Sequence, residues 1–160
     1  MAEGLLRTLG GGRFEAHSAG TEATYVRPLA IKAMAELGID ISGHESKTLD
    51  RYLDQPFDYV ITVCDDANES CPIFPNARTR LHWSLPDPSK TTGLDEEQLA
   101  VYRSVRDELK ARIEGDLLRR VSIGSPEGIR TPDLFLERKQ PQESALESID
   151  QANARKPDTS

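Results

Sequence analysis

The sequence is poor in cationic charge and has no long apolar run. Its 160 residues carry 20 lysines and arginines against 27 aspartates and glutamates, a formal net charge of -7, with no basic block. Nucleic-acid binding needs a basic face, so the composition argues against that class. The chain also lacks the roughly 20 consecutive apolar residues that span a bilayer, and its start shows no secretory signal pattern. We therefore expect a cytoplasmic protein that binds neither nucleic acid nor a membrane.

Cysteine and histidine, the usual ligands of structural zinc, are scarce. The chain has 2 cysteines, Cys64 and Cys71, and 3 scattered histidines, His17, His44 and His82. A zinc site commonly needs four ligands in two close pairs, and the cysteine spacing here is wide. Each histidine stands beside apolar or turn residues, which is typical of a packed or capping side chain. The sequence therefore predicts no metal site.

The rest of the pattern alternates helices with strands. Apolar residues largely on one face after Pro28, and at spacings of three and four after Asp95, predict amphipathic helices beginning near these residues. A near-continuous β-branched and apolar run, Tyr59 to Val63, predicts a strand covered on both faces. Further helices are predicted at 2–9 and 50–54, and further strands at 13–20 and 79–85. Helices between most strands favour an α/β sheet with right-handed crossovers.

The composition changes near residue 118. Beyond it the chain is rich in proline and polar residues, its opposite charges balance, and its single apolar cluster is Leu134 to Leu136. Such a segment buries too little apolar surface to offset the entropy of ordering. We predict one folded domain over residues 1–118 and a disordered tail over residues 119–160.

The two cysteines flank a polar loop after the clearest predicted strand. Cys64 ends that strand, Cys71 follows the polar residues 65–70, and ligands of open α/β sheets sit at the carboxyl ends of strands. One interpretation is a pair of reduced, buried thiols without a function. The other is a couple that works by thiol–disulfide exchange, which a fixed thiol and a second thiol on a loop would suit.

Asp87 is the third candidate site residue. It stands between Pro86 and Pro88, just beyond a predicted strand, and the prolines restrict the backbone on both sides. A simple turn is one interpretation. The functional one is a general acid held at the rim of a site at the end of the sheet.

Three segments together resemble the thioredoxin-coupled arsenate reductases, which share the fold of the low-molecular-weight protein tyrosine phosphatases. They are CDDANESCP, LHWSLPDP and VYRSVRDELKARI, and MAEGLLR, HSAGTEA and PLAIKAMAELGIDISGHESKTL follow the same pattern, so that the resemblance runs from Met1 to about Leu117. It implies an α/β, three-layer fold with a parallel sheet. The tyrosine phosphatases resemble the chain less, since they usually carry tyrosines where Ser89 and Lys90 stand and lack the paired cysteines.

The resemblance implies a relay of three thiols. The first cysteine, in a C-x5-R loop that cradles the oxyanion, attacks arsenate, while a carboxylate matching Asp87 assists departure of the oxygen. The second, matching Cys64, attacks the first and releases arsenite. The third, matching Cys71, attacks the second, and thioredoxin reduces the resulting disulfide. Arsenate or phosphate is thus the implied oxyanion, thioredoxin the implied partner, and no cofactor is predicted.

This sequence contains no C-x5-R: six positions beyond Cys64 stands Ser70, and six beyond Cys71 stands Ala77. By the resemblance, the loop and a central first strand would precede Met1. We therefore predict a sheet whose first strand is missing, unpaired edges on its two neighbours, a marginal or partly collapsed structure, and a chain that is inactive as given. The alternatives are a non-enzymatic remnant or thiol-exchange pseudo-enzyme, and a low-molecular-weight protein tyrosine phosphatase.

The monovalent-cation pattern of the family is matched only in part. Glu3 and Ser18 fit it, but Glu45 and Lys47 stand where a threonine and an acidic residue are common. The Lys47 ammonium is a candidate replacement for the ion.

Overall fold

The computed structural model describes residues 1–21, 23–63, 73–124 and 131–137, with side chains for all of them except 122–124 and 131–137. Its helices are α1 (Ala2–Gly10), α2 (Pro28–Ala35), α3 (Asp95–Arg112) and α4 (Arg119–Gly124), with a π-helical stretch at Ile113–Leu118 and 3₁₀ turns at Leu49–Arg51 and Pro88–Lys90. Its strands are β1 (Phe14–Gly20), β2 (Phe57–Thr62), β3 (Ala77–His82) and β4 (Thr131–Glu137).

Local sequence explains where the helices begin. Pro28 occupies the first turn of α2, where its missing N–H leaves no helical bond unmade. Three acidic residues, Asp95, Glu96 and Glu97, fill the first turn of α3, where they favour the positive end of the helix dipole. The predicted starts of both helices are confirmed. No helix in the described part of the chain has the length and apolar character needed to cross a bilayer.

The four strands form one parallel sheet in the order β1-β4-β2-β3. Strand β4 pairs with β1 along its whole length, from Thr131 to Glu137, and with β2 over residues 133–136. Strand β3 pairs with β2 and forms one edge of the sheet. The strand that comes last in the chain therefore lies in the middle of the sheet.

Each face of the sheet is covered by a separate hydrophobic cluster. Val60 and Ile61 are neighbours in β2, and since successive side chains of a strand point to opposite faces, they enter different clusters. Ile61 packs in the larger cluster with buried residues of α1, α2 and α3. Val60 packs in the smaller one with Tyr52, Phe57 and Phe74. The parallel sheet thus lies between two apolar layers, and the predicted α/β fold class is confirmed.

The prediction of a disordered tail over residues 119–160 is wrong at two places. Arg119–Gly124 continues the C-terminal helix, and Thr131–Glu137 is a strand of the sheet. The prediction weighed only local composition, whereas the pairing partners of this short strand lie far away in the sequence. The rest of the predicted tail lies outside the described residues.

The predicted gap in the sheet is not observed either. We expected unpaired N–H and C=O groups on the two strands that would flank a missing central strand. In the structure β1 and β2 both face β4 across parallel ladders, so this part of the sheet is closed. The backbone groups of β1 and β2 that face the middle of the sheet obtain their partners from the C-terminal segment.

Candidate functional site

A cavity of about 180 Å³ opens at the carboxyl edge of the sheet. Its wall includes the end of β1 at Ser18, the residue after β2, Val63, and the Leu85–Ser89 loop beyond β3. Met1 and Ala2, at the start of α1, line it as well. Ligands of parallel α/β sheets bind at this edge, because the loops that follow the strands converge there. The cavity is therefore the candidate site.

Asp87 reaches this cavity with its two carboxylate oxygens in different environments. Its Oδ1 accepts the Ser89 N–H at 2.9 Å, which caps the 3₁₀ turn Pro88–Lys90, and also accepts the Ser89 hydroxyl. Its Oδ2 is buried and has no hydrogen-bond partner among the residues that the structure describes. One oxygen thus fixes the side chain, whereas the other makes no hydrogen bond with the described residues. The structure thus places this predicted site residue at the sheet end.

The two cysteines lie outside the described residues, so the structure leaves their predicted roles untested. Val63, the residue before Cys64, lines the cavity. Cys64 therefore follows a residue of the cavity wall in the sequence. The polar residues 65–70 belong to the same undescribed segment.

A buried carboxylate lies behind the cavity wall. The Glu3 side chain is 4% exposed, and its Oε1 is 2.7 Å from Arg7 Nη2. Its Oε2 accepts the Ser18 hydroxyl and lies 3.9 Å from Lys47 Nζ. These two cations neutralise a charge that would otherwise be costly to bury. No cluster of histidine, cysteine, aspartate or glutamate side chains that could hold a metal ion occurs within the described ranges, and the replacement of an ion by Lys47 stays a prediction.

The three histidines occupy different environments. His44 lines the cavity, and burial is the largest cause that lowers its pKa from the ordinary value, opposed by the nearby Glu3 charge. His17 packs against the rings of Tyr52 and Phe57. His82 is exposed on β3, and its Nδ1 is 2.7 Å from the Thr62 hydroxyl. His44 is therefore the histidine that lines the cavity, and nothing in its local sequence pattern marks this position.

A second feature that the sequence did not mark is a pair at the rim. Tyr25 is 60% exposed and lines the cavity together with Arg27. The Arg27 guanidinium donates to the Tyr25 hydroxyl at 2.7 Å and stacks over its ring at 4.7 Å from the centroid. The pair therefore presents a cation and an aromatic face beside the opening.

Known proteins match this chain in sequence and in structure. The model of the family described as low molecular weight phosphotyrosine protein phosphatase matches residues 1–123. An arsenate reductase of Halalkalibacterium halodurans is 47% identical over 114 residues, which are 71% of this chain and 82% of the relative. One of Bacillus subtilis (strain 168) is 40% identical over the same shares of both chains.

Solved structures give the same similarity. An arsenate reductase in the phosphate binding state has a TM-score of 0.62 and 34% identity, covering 78% of this chain and 87% of that one. An arsenate reductase in oxidized state has a TM-score of 0.63 and 34% identity, covering 75% and 86%. Both the sequence and the structural matches extend over most of the known proteins.

Proposed function

This chain belongs to the low molecular weight phosphotyrosine protein phosphatase family, and on that premise we propose that it serves the reduction of arsenate to arsenite with thioredoxin as the reductant. The named relatives support this role, because they are arsenate reductases of 40% identity or more. The substrate would enter as an oxyanion at the carboxyl edge of the sheet. The reaction is a two-electron reduction of arsenic, and thiols would supply both electrons.

The observation that carries the proposal is the arrangement of Asp87. Asp87 lines the cavity, its Oδ1 is held by Ser89, and its buried Oδ2 makes no hydrogen bond with a described residue. We propose that Oδ2 is the oxygen that meets a bound oxyanion. When an oxygen leaves arsenate as water, it needs a proton, and a carboxylic acid fixed beside it can provide one. The flanking prolines keep the loop in place for this transfer.

Cys64 and Cys71 would act after the first thiol has bound arsenic. The Cys64 thiolate attacks the sulfur of the first cysteine, the S–As bond breaks toward arsenic, and arsenite leaves as As(III). The Cys71 thiolate then attacks Cys64, which frees the first thiolate and forms the Cys64–Cys71 disulfide. A dithiol of thioredoxin would return both electrons and become a disulfide itself. We place this exchange in the cytoplasm, where such reductants keep thiols reduced.

The sequence does not contain the first thiol of the proposed relay, the cysteine of a C-x5-R loop. Neither cysteine has an arginine at the sixth following position, since Ser70 and Ala77 stand there. We therefore propose that these residues carry the acid and the last two thiols, and that arsenate turnover requires a C-x5-R loop in addition. Without that loop, the remaining chemistry is reversible disulfide exchange.

The first experiment tests this exchange. Mild oxidation should form the Cys64–Cys71 disulfide, and mass spectrometry should then show that the chain has lost two hydrogen atoms. Thioredoxin, with its reductase and NADPH, should restore both thiols. Cys64→Ser and Cys71→Ser should each abolish the change. Two free thiols that persist under oxidant would exclude both the relay and the thiol-exchange alternative.

The second experiment tests the substrate. A chain preceded by a C-x5-R segment should consume NADPH with arsenate and thioredoxin, whereas the chain as given should not. A matched extension with serine in place of the C-x5-R cysteine is the control. Phosphate-ester hydrolysis that survives Cys64→Ser and Cys71→Ser, without arsenate-dependent turnover, would instead support a tyrosine phosphatase.

A further inference from the structure

The middle of the sheet depends on the last strand that the structure describes. Strands β1 and β2 do not pair with each other, and β4 lies between them. The two flanking strands carry small and branched apolar residues that are buried, namely Ala16 and Ala19 on β1 and Val60 and Ile61 on β2. Removing β4 would leave unpaired N–H and C=O groups on both flanking strands. The space between β1 and β2 is thus a cleft shaped for one parallel strand, called here the strand cleft.

Strand β4 fills the strand cleft through its backbone pairing. Its sequence holds three consecutive apolar residues, Leu134, Phe135 and Leu136. Those three residues lie where β4 pairs with both neighbours. Recognition of this kind combines main-chain hydrogen bonds, which give affinity, with alternating side chains, which give specificity.

Two features weaken the hold of the cleft on β4. Pro132 has no N–H to donate, and although it pairs with Glu15 of β1, pairing with β2 begins only at Asp133. In addition, pairing with β2 ends at Leu136, before the strand itself ends at Glu137. Strand β4 therefore pairs with both neighbours only over residues 133–136.

From these observations we propose that the strand cleft is a binding site for a parallel strand, and that it accepts the Thr131–Glu137 segment from a separate molecule as well as from its own chain. The partner is thus a second copy of the same segment. A segment from another molecule would replace the chain's own β4 and form the same backbone pairs with β1 and β2. This property is independent of the thiol chemistry, because it involves neither the cysteines nor Asp87.

The test begins with the full chain carrying a protease recognition sequence inserted within residues 125–130. After cleavage of the folded protein, we expect the C-terminal fragment to stay bound in equimolar amount on gel filtration, with an unchanged circular dichroism spectrum. A fluorescent synthetic peptide of residues 128–140 in excess should then replace the fragment, which is measured as a rise in anisotropy.

Two control peptides define specificity. A peptide of residues 128–140 with Leu134, Phe135 and Leu136 each replaced by serine lacks the apolar run and should not enter the cleft. A Leu134→Pro peptide lacks a ladder N–H at a residue that pairs with both neighbours, and it should compete at least about 10-fold less well. Loss of the fragment on cleavage would overturn the proposal, whether or not the remainder stays folded. A fragment that stays bound but is never replaced by the peptide would overturn it as well.

Discussion

Asp87 has an observed structural role, the cap at Ser89, and a proposed chemical role as the acid. Asp87→Ala removes the acceptor that caps the turn at Ser89, so we expect a loss of about 1 kcal/mol in the free energy of unfolding. Asp87→Asn retains an acceptor at the position of Oδ1, and its stability should stay close to the wild type. Urea unfolding measured by circular dichroism gives both values. Equal losses in the two variants would contradict this division of roles.

The same pair of variants tests the proposed acid. In a chain completed with a C-x5-R loop, Asp87→Asn should reduce arsenate turnover by about 10²- to 10⁴-fold, because an amide cannot donate the required proton. Since this variant retains the cap, lost turnover could not be ascribed to a misfolded loop. Unchanged turnover in Asp87→Asn would show that the carboxylate is not the acid.

Glu36 gives a pH dependence with a defined sign. Hydrogen bonds from Arg103 and then Arg106 are the main causes that lower its pKa from 4.5 to about 2. A carboxyl group with a lowered pKa contributes stability above its unfolded value, and this contribution is lost as the pH falls through the folded value. We therefore expect Glu36→Gln to lose less stability than the wild type between pH 4.5 and about 2.

The urea midpoint, measured at a series of pH values across this window, checks the Glu36 prediction. Glu96→Gln is the matched control, because Glu96 is an exposed acid that also links α2 and α3, 3.8 Å from Lys32. In Glu96→Gln the urea midpoint should change with pH nearly as much as in the wild type. If this change with pH is equally reduced in both variants, Glu36 makes no special contribution to the pH dependence of stability.

At the scale of elements, the packing of α1 depends on the absence of a side chain. A Cβ added at Gly4 would lie 2.7 Å from Cγ2 of Ile41, whereas one at Gly115 would meet nothing within 4 Å. Overpacking costs about 1–3 kcal/mol, and alanine regains only about 1 kcal/mol of helix propensity. We expect Gly4→Ala to be destabilising and Gly115→Ala to be stabilising by about 0.5–1 kcal/mol.

Thermal unfolding of the two alanine variants, each compared with the wild type, measures this difference. Both substitutions add the same methyl group within a helical stretch, so their common effect on helix propensity cancels in the comparison. A Gly4→Ala protein as stable as Gly115→Ala would mean that Ile41 moves aside at no cost and that α1 packs loosely.

The helices and strands differ in whether local sequence or pairing with distant strands determines them. Strand β2 and helix α3 could be predicted, because the apolar run of β2 and the apolar periodicity of α3 lie within each segment. The strand at Thr131–Glu137 could not, since it contains a proline near its start and pairs with β1 and β2, which lie far away in the sequence. Local patterns specify an element, but they do not report partners that lie far away in the sequence.

Some features of the candidate site could likewise be predicted from local sequence, and others could not. Asp87 could be located from its two prolines and from the strand before it. The burial of its Oδ2 and the approach of His44 and Arg27 to the cavity could not, because they depend on how separate loops meet at the sheet end. The redox pairing of Cys64 and Cys71 stays a prediction from the sequence.

For the whole molecule, the start of α1 and the middle of the sheet are linked by geometry. Met1 and Ala2 line the cavity at the carboxyl edge. A parallel strand in the sheet would end at this same edge, so a strand and loop placed before Met1 would lead directly into α1. Such a strand would be directed at the strand cleft between β1 and β2, which β4 fills.

We therefore predict competition in a chain extended by a strand and a C-x5-R loop. The amides of Thr131–Glu137 should lose at least about 10-fold of their protection in native-state hydrogen exchange, while those of β1 and β2 keep theirs. An extension of equal length made of glycine and serine should leave β4 protected, because it offers no apolar strand. If all three strands stay protected in the extended chain, the new strand has paired elsewhere, for example at the free edge of β3, and the cleft between β1 and β2 belongs to the C-terminal segment alone.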